Sequence, residues 1–115
     1  MRKYASVFAV VLCLCAVAAV AQDAVKVDPK HYSVVSENDQ VRILKVHYGA
    51  HEKSVMHSHP NTVAVFQNNV KMRFWLPGGK SMDMTTKAGE AMYTPAGIQL
   101  PENTSDKAVD GVWWS

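Results

Sequence analysis

The segment Gly49-Ala50-His51-Glu52-Lys53-Ser54-Val55-Met56-His57-Ser58-His59-Pro60 holds the one pattern in this chain with obvious chemical content. His57 and His59 are two residues apart. On an extended strand alternate side chains share a face, so both imidazoles can aim at one point, as neighbouring metal ligands must. Pro60 has no amide proton to give a partner strand and suits a strand end. A His-x-His pair is weak evidence on its own and gains meaning only if the surrounding chain is built of strands.

Outward from that segment, short apolar or alternating runs recur, each followed by a turn signal. Gln40–Tyr48 is β-branched and aliphatic, is interrupted by Arg42 and Lys45, and is closed by Gly49. Thr62–Gln67 is a second run. Asn68-Asn69 then reads as a tight turn, because Asn tolerates positive φ, and Val70–Leu76 as the returning strand. Within it Val70, Met72 and Phe74 share one face and Lys71 and Arg73 the other. Pro77-Gly78-Gly79-Lys80 is a strong turn, Ser81–Lys87 alternates again, Ala88-Gly89-Glu90 turns, Ala91–Thr94 stops at Pro95, and Ala108–Trp114 is the last run. Six or seven short strands without a convincing helix predict an all-β sandwich or barrel. Residues 22–39 read as an N-terminal arm with one or two added strands, of the kind that often pairs with a neighbouring chain, and residues 40–115 as the domain.

Residues 1–21 have the pattern of a cleaved signal peptide. Arg2 and Lys3 are followed by fourteen apolar residues, Val7–Val20, fewer than the roughly 20 that span a bilayer. Ala19 and Ala21 supply small residues before Gln22. Cleavage would remove both cysteines, Cys13 and Cys15, and with them any disulfide, thiolate metal site or cysteine nucleophile. Of 12 Lys and Arg, Arg2 and Lys3 would leave, so ten positive charges face ten negative ones. That balance argues against nucleic acid or a membrane surface as partner. The expected setting is secreted or periplasmic in a bacterium. The roughly 94 remaining residues bury one core with little margin, which favours a closed sheet or a homodimer.

Gly49 followed by His57-Ser58-His59-Pro60, then a strand, a turn, Gly89, Pro95-Ala96-Gly97 and Asn103, resembles the two motifs of the cupin superfamily. The resemblance covers about residues 41–115. More narrowly, residues 46–60 (VHYGAHEKSVMHSHP) and 100–107 (LPENTSDK) are similar to those of small secreted bacterial cupins. The resemblance implies a single conical β-barrel of two antiparallel sheets, a double-stranded β-helix of the cupin or jelly-roll type, frequently dimeric. It also implies an interior that commonly holds Mn, Fe, Zn, Ni or Cu through three His and one Glu. His57 and His59 match the first two histidines. The glutamate position falls on Val63 or Ala64, with Asn61 and Thr62 as the only polar substitutes nearby. The third histidine falls on Leu100 if counted from Pro95 and Gly97, and on Gln99 if counted back from Asn103. The match at Leu100-Pro101-Glu102-Asn103 favours Gln99. A carboxamide is a weaker donor than imidazole, so the expected site is a degenerate one. It comprises His57 and His59 with Gln99 or His51 as weak third ligand, and a metal held weakly or absent. The expected ligand pocket is lined by His57, His59, Gln99, Met72 and Phe74.

Other residues have plainer readings. His51 reads as a solvated loop residue, His47 as an exposed or edge histidine, and His31 lies in the arm with no partner that can be named. Glu102 is the best remaining carboxylate near the second motif, able to complete a site or act as general base, with a surface turn cap as the plainer reading. The alternating methionines Met72, Met82, Met84 and Met92 read as adaptable packing. Trp113 and Trp114 cannot both point inward on one strand. Three functions stay open: a small-molecule-binding barrel, a metal-dependent enzyme of dioxygenase, isomerase or decarboxylase type, and a non-catalytic scaffold or oligomerisation module. No catalytic residue can be assigned.

Overall fold

Period-two burial runs through almost every extended segment of the computed structural model, which describes residues 22–115. The signal-peptide reading, with Cys13 and Cys15, falls outside the described residues. One turn of helix, α1 (Ala24–Val27), precedes β1 (Tyr32–Glu37) and β2 (Arg42–Tyr48). β3 (His57–His59), β4 (Thr62–Phe66), β5 (Val70–Trp75) and β6 (Ser81–Thr86) follow, then β7 (Ala91–Thr94), β8 (Gly97–Asn103) and β9 (Val109–Trp114). No helix among the described residues is long and apolar enough to cross a membrane.

The strands form two antiparallel sheets in a jelly-roll arrangement, one in the order β1-β2-β9-β4-β7 and the other β3-β8-β5-β6. Leu44, Val46 and Tyr48 of β2, Ala64 and Phe66 of β4, and Val109 and Trp113 of β9 are buried. So are Val70 and Met72 of β5 in the other sheet. Lys45 and His47 alternate outward from β2. Trp113 is inside and Trp114 only half-buried, as parity requires.

Four sequence expectations need correction. Thr62–Gln67 and Val70–Leu76 do not form a hairpin, since β4 and β5 belong to different sheets. Asn68 and Asn69 make the corner between sheets without positive φ. The Asn68 side chain donates to Ala108 O at 2.8 Å, and Asn69 accepts from Ala88 N at 2.9 Å. Among the described residues the one non-glycine with positive φ is instead His51, at 58°. Secondly, the arm contains α1, capped by the Asp23 carboxylate, which accepts from Val25 N. Asp23 is also held at 2.6 Å by Arg42, which lowers its pKa. Thirdly, β8 was hidden by Pro101. The Pro101 carbonyl accepts from Ser54 N at 2.9 Å, so its nitrogen faces that irregular segment and costs the β5 ladder no donor. Fourthly, Glu102 caps no turn: it lies on β8 and accepts from Trp75 Nε1 at 2.9 Å.

Two positions fix how strands and loops fit together. Gly111 lies opposite both Val46 and Phe66 in register. A Cβ there would come within 2.6 Å of the Phe66 ring and 2.9 Å of Val65 O. Asn103 is fully buried and spends its whole carboxamide: Nδ2 donates to Gly49 O and Lys107 O, and Oδ1 accepts from Ser105 N and Oγ. It thereby ties the end of β8 to the loops on either side.

Gly111→Ala is expected to lower stability by about 1–3 kcal/mol through overpacking. Urea unfolding measures it, and Phe66→Leu should restore only part of the loss because the Val65 carbonyl cannot retreat. Asn103→Ala should cost roughly 1–3 kcal/mol by stranding carbonyls and an amide, with faster hydrogen exchange concentrated at residues 49–54 and 103–108.

Candidate functional site

The inward face of β3 carries both His57 and His59, and its partner β8 brings Gln99 directly opposite His57 and Gly97 opposite His59. His57 is wholly buried, His59 is 9% exposed and Gln99 6%. Parity on β8 turns Gln99, Pro101 and Asn103 inward, so of the two positions for a third ligand it is Gln99, not Leu100, that faces the core. A Cβ at Gly97 would lie 3.8 Å from His59 Nε2.

Backbone carbonyls define the state of both rings. His57 Nδ1 lies 2.8 Å from Val55 O, and His59 Nδ1 2.9 Å from Pro60 O. A carbonyl only accepts, so each Nδ1 carries the proton, and in the neutral ring Nε2 keeps its lone pair. Burial pushes the His57 imidazole below its usual pKa, outweighing the Val55 hydrogen bond that opposes the shift, and favours that neutral ring. His57 Nε2 is buried without a hydrogen-bond partner. Such an orphaned lone pair suits a metal ion or a donor group from a ligand.

The rest of the donor set is poorer. Val63 faces outward and Ala64 inward, and neither can bind a metal. Thr62 is inward but gives its hydroxyl to Pro60 O at 2.8 Å, and Asn61 accepts from Ala96 N. His51 is not brought to the pair; it is exposed, with Nε2 2.6 Å from Asp106 Oδ1. His47 is likewise exposed and pairs with Asp110 at 2.7 Å. Among the described residues no three of His, Cys, Asp or Glu gather to hold a metal. The residues present therefore fit two ligand positions, with Gln99 as neighbour, and fall short of the three or four protein ligands of zinc sites.

Space between the sheets is scant. His59, Gln99, Met72 and Phe74 line an inner slot of about 10 Å³, the room of a single water. His57 does not line it, although the sequence placed all five residues in one pocket. Phe74, Met92, Thr94 and Gln99 also line a second, partly open cavity of about 280 Å³, whose other walls include Leu76, Met82, Asp83, Met84 and Tyr93. Both cavities are lined by these four residues, here termed the neck. A larger cavity, about 410 Å³, is an open groove among Lys71, Lys87 and Lys107 and touches none of the residues of the His pair.

Sequence reasoning missed what lies behind His57. Asp28 and His31, three apart in the arm, are both buried. His31 Nδ1 is 2.7 Å from Asp28 Oδ2, and its ring stacks on Tyr48 at 4.3 Å. Ser54 Oγ donates to Asp28 Oδ2 at 2.5 Å and lies 3.4 Å from His57 Nδ1. Tyr32 packs edge-on against the His57 ring and shares a short hydrogen bond with the Tyr48 hydroxyl. Glu52 lies 3.2 Å from His31 Nε2, and the Lys30 ammonium and Gly49 amide hold its carboxyl down at about 2. The Asp28/His31 spacing within one turn was the available signal, but nothing local indicated that Ser54 would complete it.

No known family pattern and no curated protein matches the sequence. Solved structures do. A cupin domain from Bordetella pertussis superposes with a TM-score of 0.67 at 20% identity, covering 73% of this chain and 88% of that one. A cupin-2 domain containing protein from Shewanella frigidimarina gives 0.52 at 15% identity, over 73% of this chain and 78% of that one. Oxalate oxidase in complex with the substrate analogue glycolate gives 0.50 at 17% identity, over 64% of this chain and 40% of that one. The fold of this chain is the cupin fold.

Proposed function

We propose that this chain is a small-molecule-binding barrel of the cupin fold, acting outside the cytoplasm once residues 1–21 are removed, with its ligand in the cavity of about 280 Å³. The observation that carries the reading is that this cavity shares Gln99, Phe74, Met92 and Thr94 with the inner slot beside His59. Its volume lies at the lower edge of the few hundred Å³ typical of ligand sites. The walls are largely apolar and sulfur-rich, able to adapt their shape, with Gln99 and Thr94 at the neck and Asp83, paired with Arg73, on the exposed side. A compact apolar molecule with one polar end directed at the Gln99 carboxamide suits this layout.

A second reading, a metal-dependent enzyme, is favoured by the unpartnered Nε2 of His57. His57 and His59 would hold the ion, and a divalent metal there would supply Lewis acidity. Oxalate oxidase shows that the fold supports enzymes, which by itself assigns no reaction to this chain.

Nile red, a neutral environment-sensitive dye, is expected to brighten on binding the purified protein. Met92→Trp, which fills the neck, should reduce that signal severalfold with little change in melting temperature. A dye signal indifferent to Met92→Trp places the apolar site elsewhere and defeats the binding reading. Metal analysis after dialysis decides the second reading: near-stoichiometric metal in the wild type, lost in His57→Ala and His59→Ala, supports it, and metal-free wild type rejects it.

A further inference from the structure

We infer that Asp28 is a positioning residue for His57: through the Ser54 hydroxyl, the N-terminal arm sets which nitrogen of that imidazole carries the proton. This deepens the binding and metal readings above, on which its functional meaning rests.

The inference follows from counting donors. Asp28 is 7% exposed, and its carboxylate, acceptor-only, faces His31 Nδ1 and Ser54 Oγ. Ser54 has a single proton. Asp28 Oδ2 at 2.5 Å competes for it against Val55 O at 3.2 Å, and the charge-assisted bond wins. Ser54 Oγ is thereby left with lone pairs only on its other sides. His57 Nδ1 then meets two acceptors, Val55 O at 2.8 Å and Ser54 Oγ at 3.4 Å. Both demand the Nδ1–H form, which reserves the buried lone pair of Nε2. Remove the Asp28 carboxylate, and the Ser54 hydroxyl is free to turn and donate to Nδ1. The proton would then move to Nε2 and block it.

The arm is built to deliver this group. Asp28 ends α1, where its amide donates to Ala24 O at 2.8 Å, and its carbonyl accepts from the amides of His31 and Tyr32. His31 is braced from the far side by Glu52 and by stacking on Tyr48. Ser54 is pinned through its own amide to Pro101 O of β8. Carboxylate and hydroxyl are therefore each fixed by separate elements before they meet.

Two-bond ¹H–¹⁵N spectra of the ¹⁵N-labelled protein report the tautomer of each imidazole, a signature that loss of packing alone would not move. The wild type and Ser54→Ala are expected to show His57 wholly as Nδ1–H. Asp28→Leu, close to Asp in size and chosen to keep the fold, and Asp28→Ala both remove the acceptor that holds the Ser54 proton, and both should populate the Nε2–H form. Ser54→Ala added to either should return the ring to Nδ1–H, because no hydroxyl remains to compete. A His57 ring that stays Nδ1–H in both Asp28 variants, or a double variant that fails to revert, overturns the inference. Zinc titration of the same proteins separates it from the functional readings. Loss of the Nε2 lone pair should weaken zinc binding about 10–100-fold in Asp28→Leu, with recovery in the double variant. The expected tautomer changes in a protein that takes up no zinc would sustain the positioning role and reject the metal reading alone.

Discussion

β8 makes contacts that no other strand makes together, and the remainder of the molecule is arranged around its two-residue period. Through Gly97, Ile98 and Gln99 it holds β3, and through Leu100 to Asn103 it holds β5. Its inward positions are Gln99, Pro101 and Asn103, so a carboxamide sits opposite His57, a carbonyl is free to grip Ser54, and a second carboxamide locks two loops. A register slip of one residue would turn all three outward and bring Leu100 and Glu102 inside. The histidine pair, the segment behind it and the closure of that end of the sheets would be lost together.

Buried polar groups are costly unless each finds a partner, and this chain concentrates them in a narrow zone. Asp28, His31, Ser54, His57, His59, Thr62, Gln99 and Asn103 are all buried. Asn103 is saturated by four bonds, and Asp28 receives His31 and Ser54. Only His57 Nε2 and Trp113 Nε1 are buried without a partner among the described residues. The unmet cost is thus confined to one imidazole nitrogen and one indole N–H, both on the inner face of the sheets.

Legibility in the sequence followed the range of the interaction. Alternation within a strand depends on adjacent residues, so Val70, Met72 and Phe74 against Lys71 and Arg73 was readable, as were the turns at Pro77–Lys80 and Ala88–Glu90. The all-β class was legible from the strand and turn pattern, the cupin fold through the resemblance carried by His57–Pro60 and Pro95–Asn103, and the His-x-His pair from its parity. Which strand pairs with which depends on distant residues. Asn68-Asn69 therefore looked like a hairpin although it bridges two sheets, and Pro101 concealed β8 because its nitrogen faces Ser54, 47 positions earlier in sequence numbering. The same limit hid the Asp28–Ser54–His57 chain, whose members come from the arm, an irregular loop and a strand.

The missing glutamate changes the electrostatics of the site more than its count of ligands. Three histidines and one glutamate place a negative charge in contact with a cation; here Ala64 and Val63 offer none, and the donors are all neutral. The carboxylate connected to the pair among the hydrogen bonds described is Asp28, which lies behind His57 with Ser54 between them. Its Coulombic pull stabilises positive charge on the His57 side, as it already does for the imidazolium, but His31 shares that carboxylate and reduces what remains. A divalent ion at the pair would thus be compensated only from one layer out, whereas a neutral ligand needs no compensation and gains from the apolar walls around the neck. Charge balance and cavity chemistry therefore favour the same occupant, an uncharged molecule presenting a polar group to Gln99.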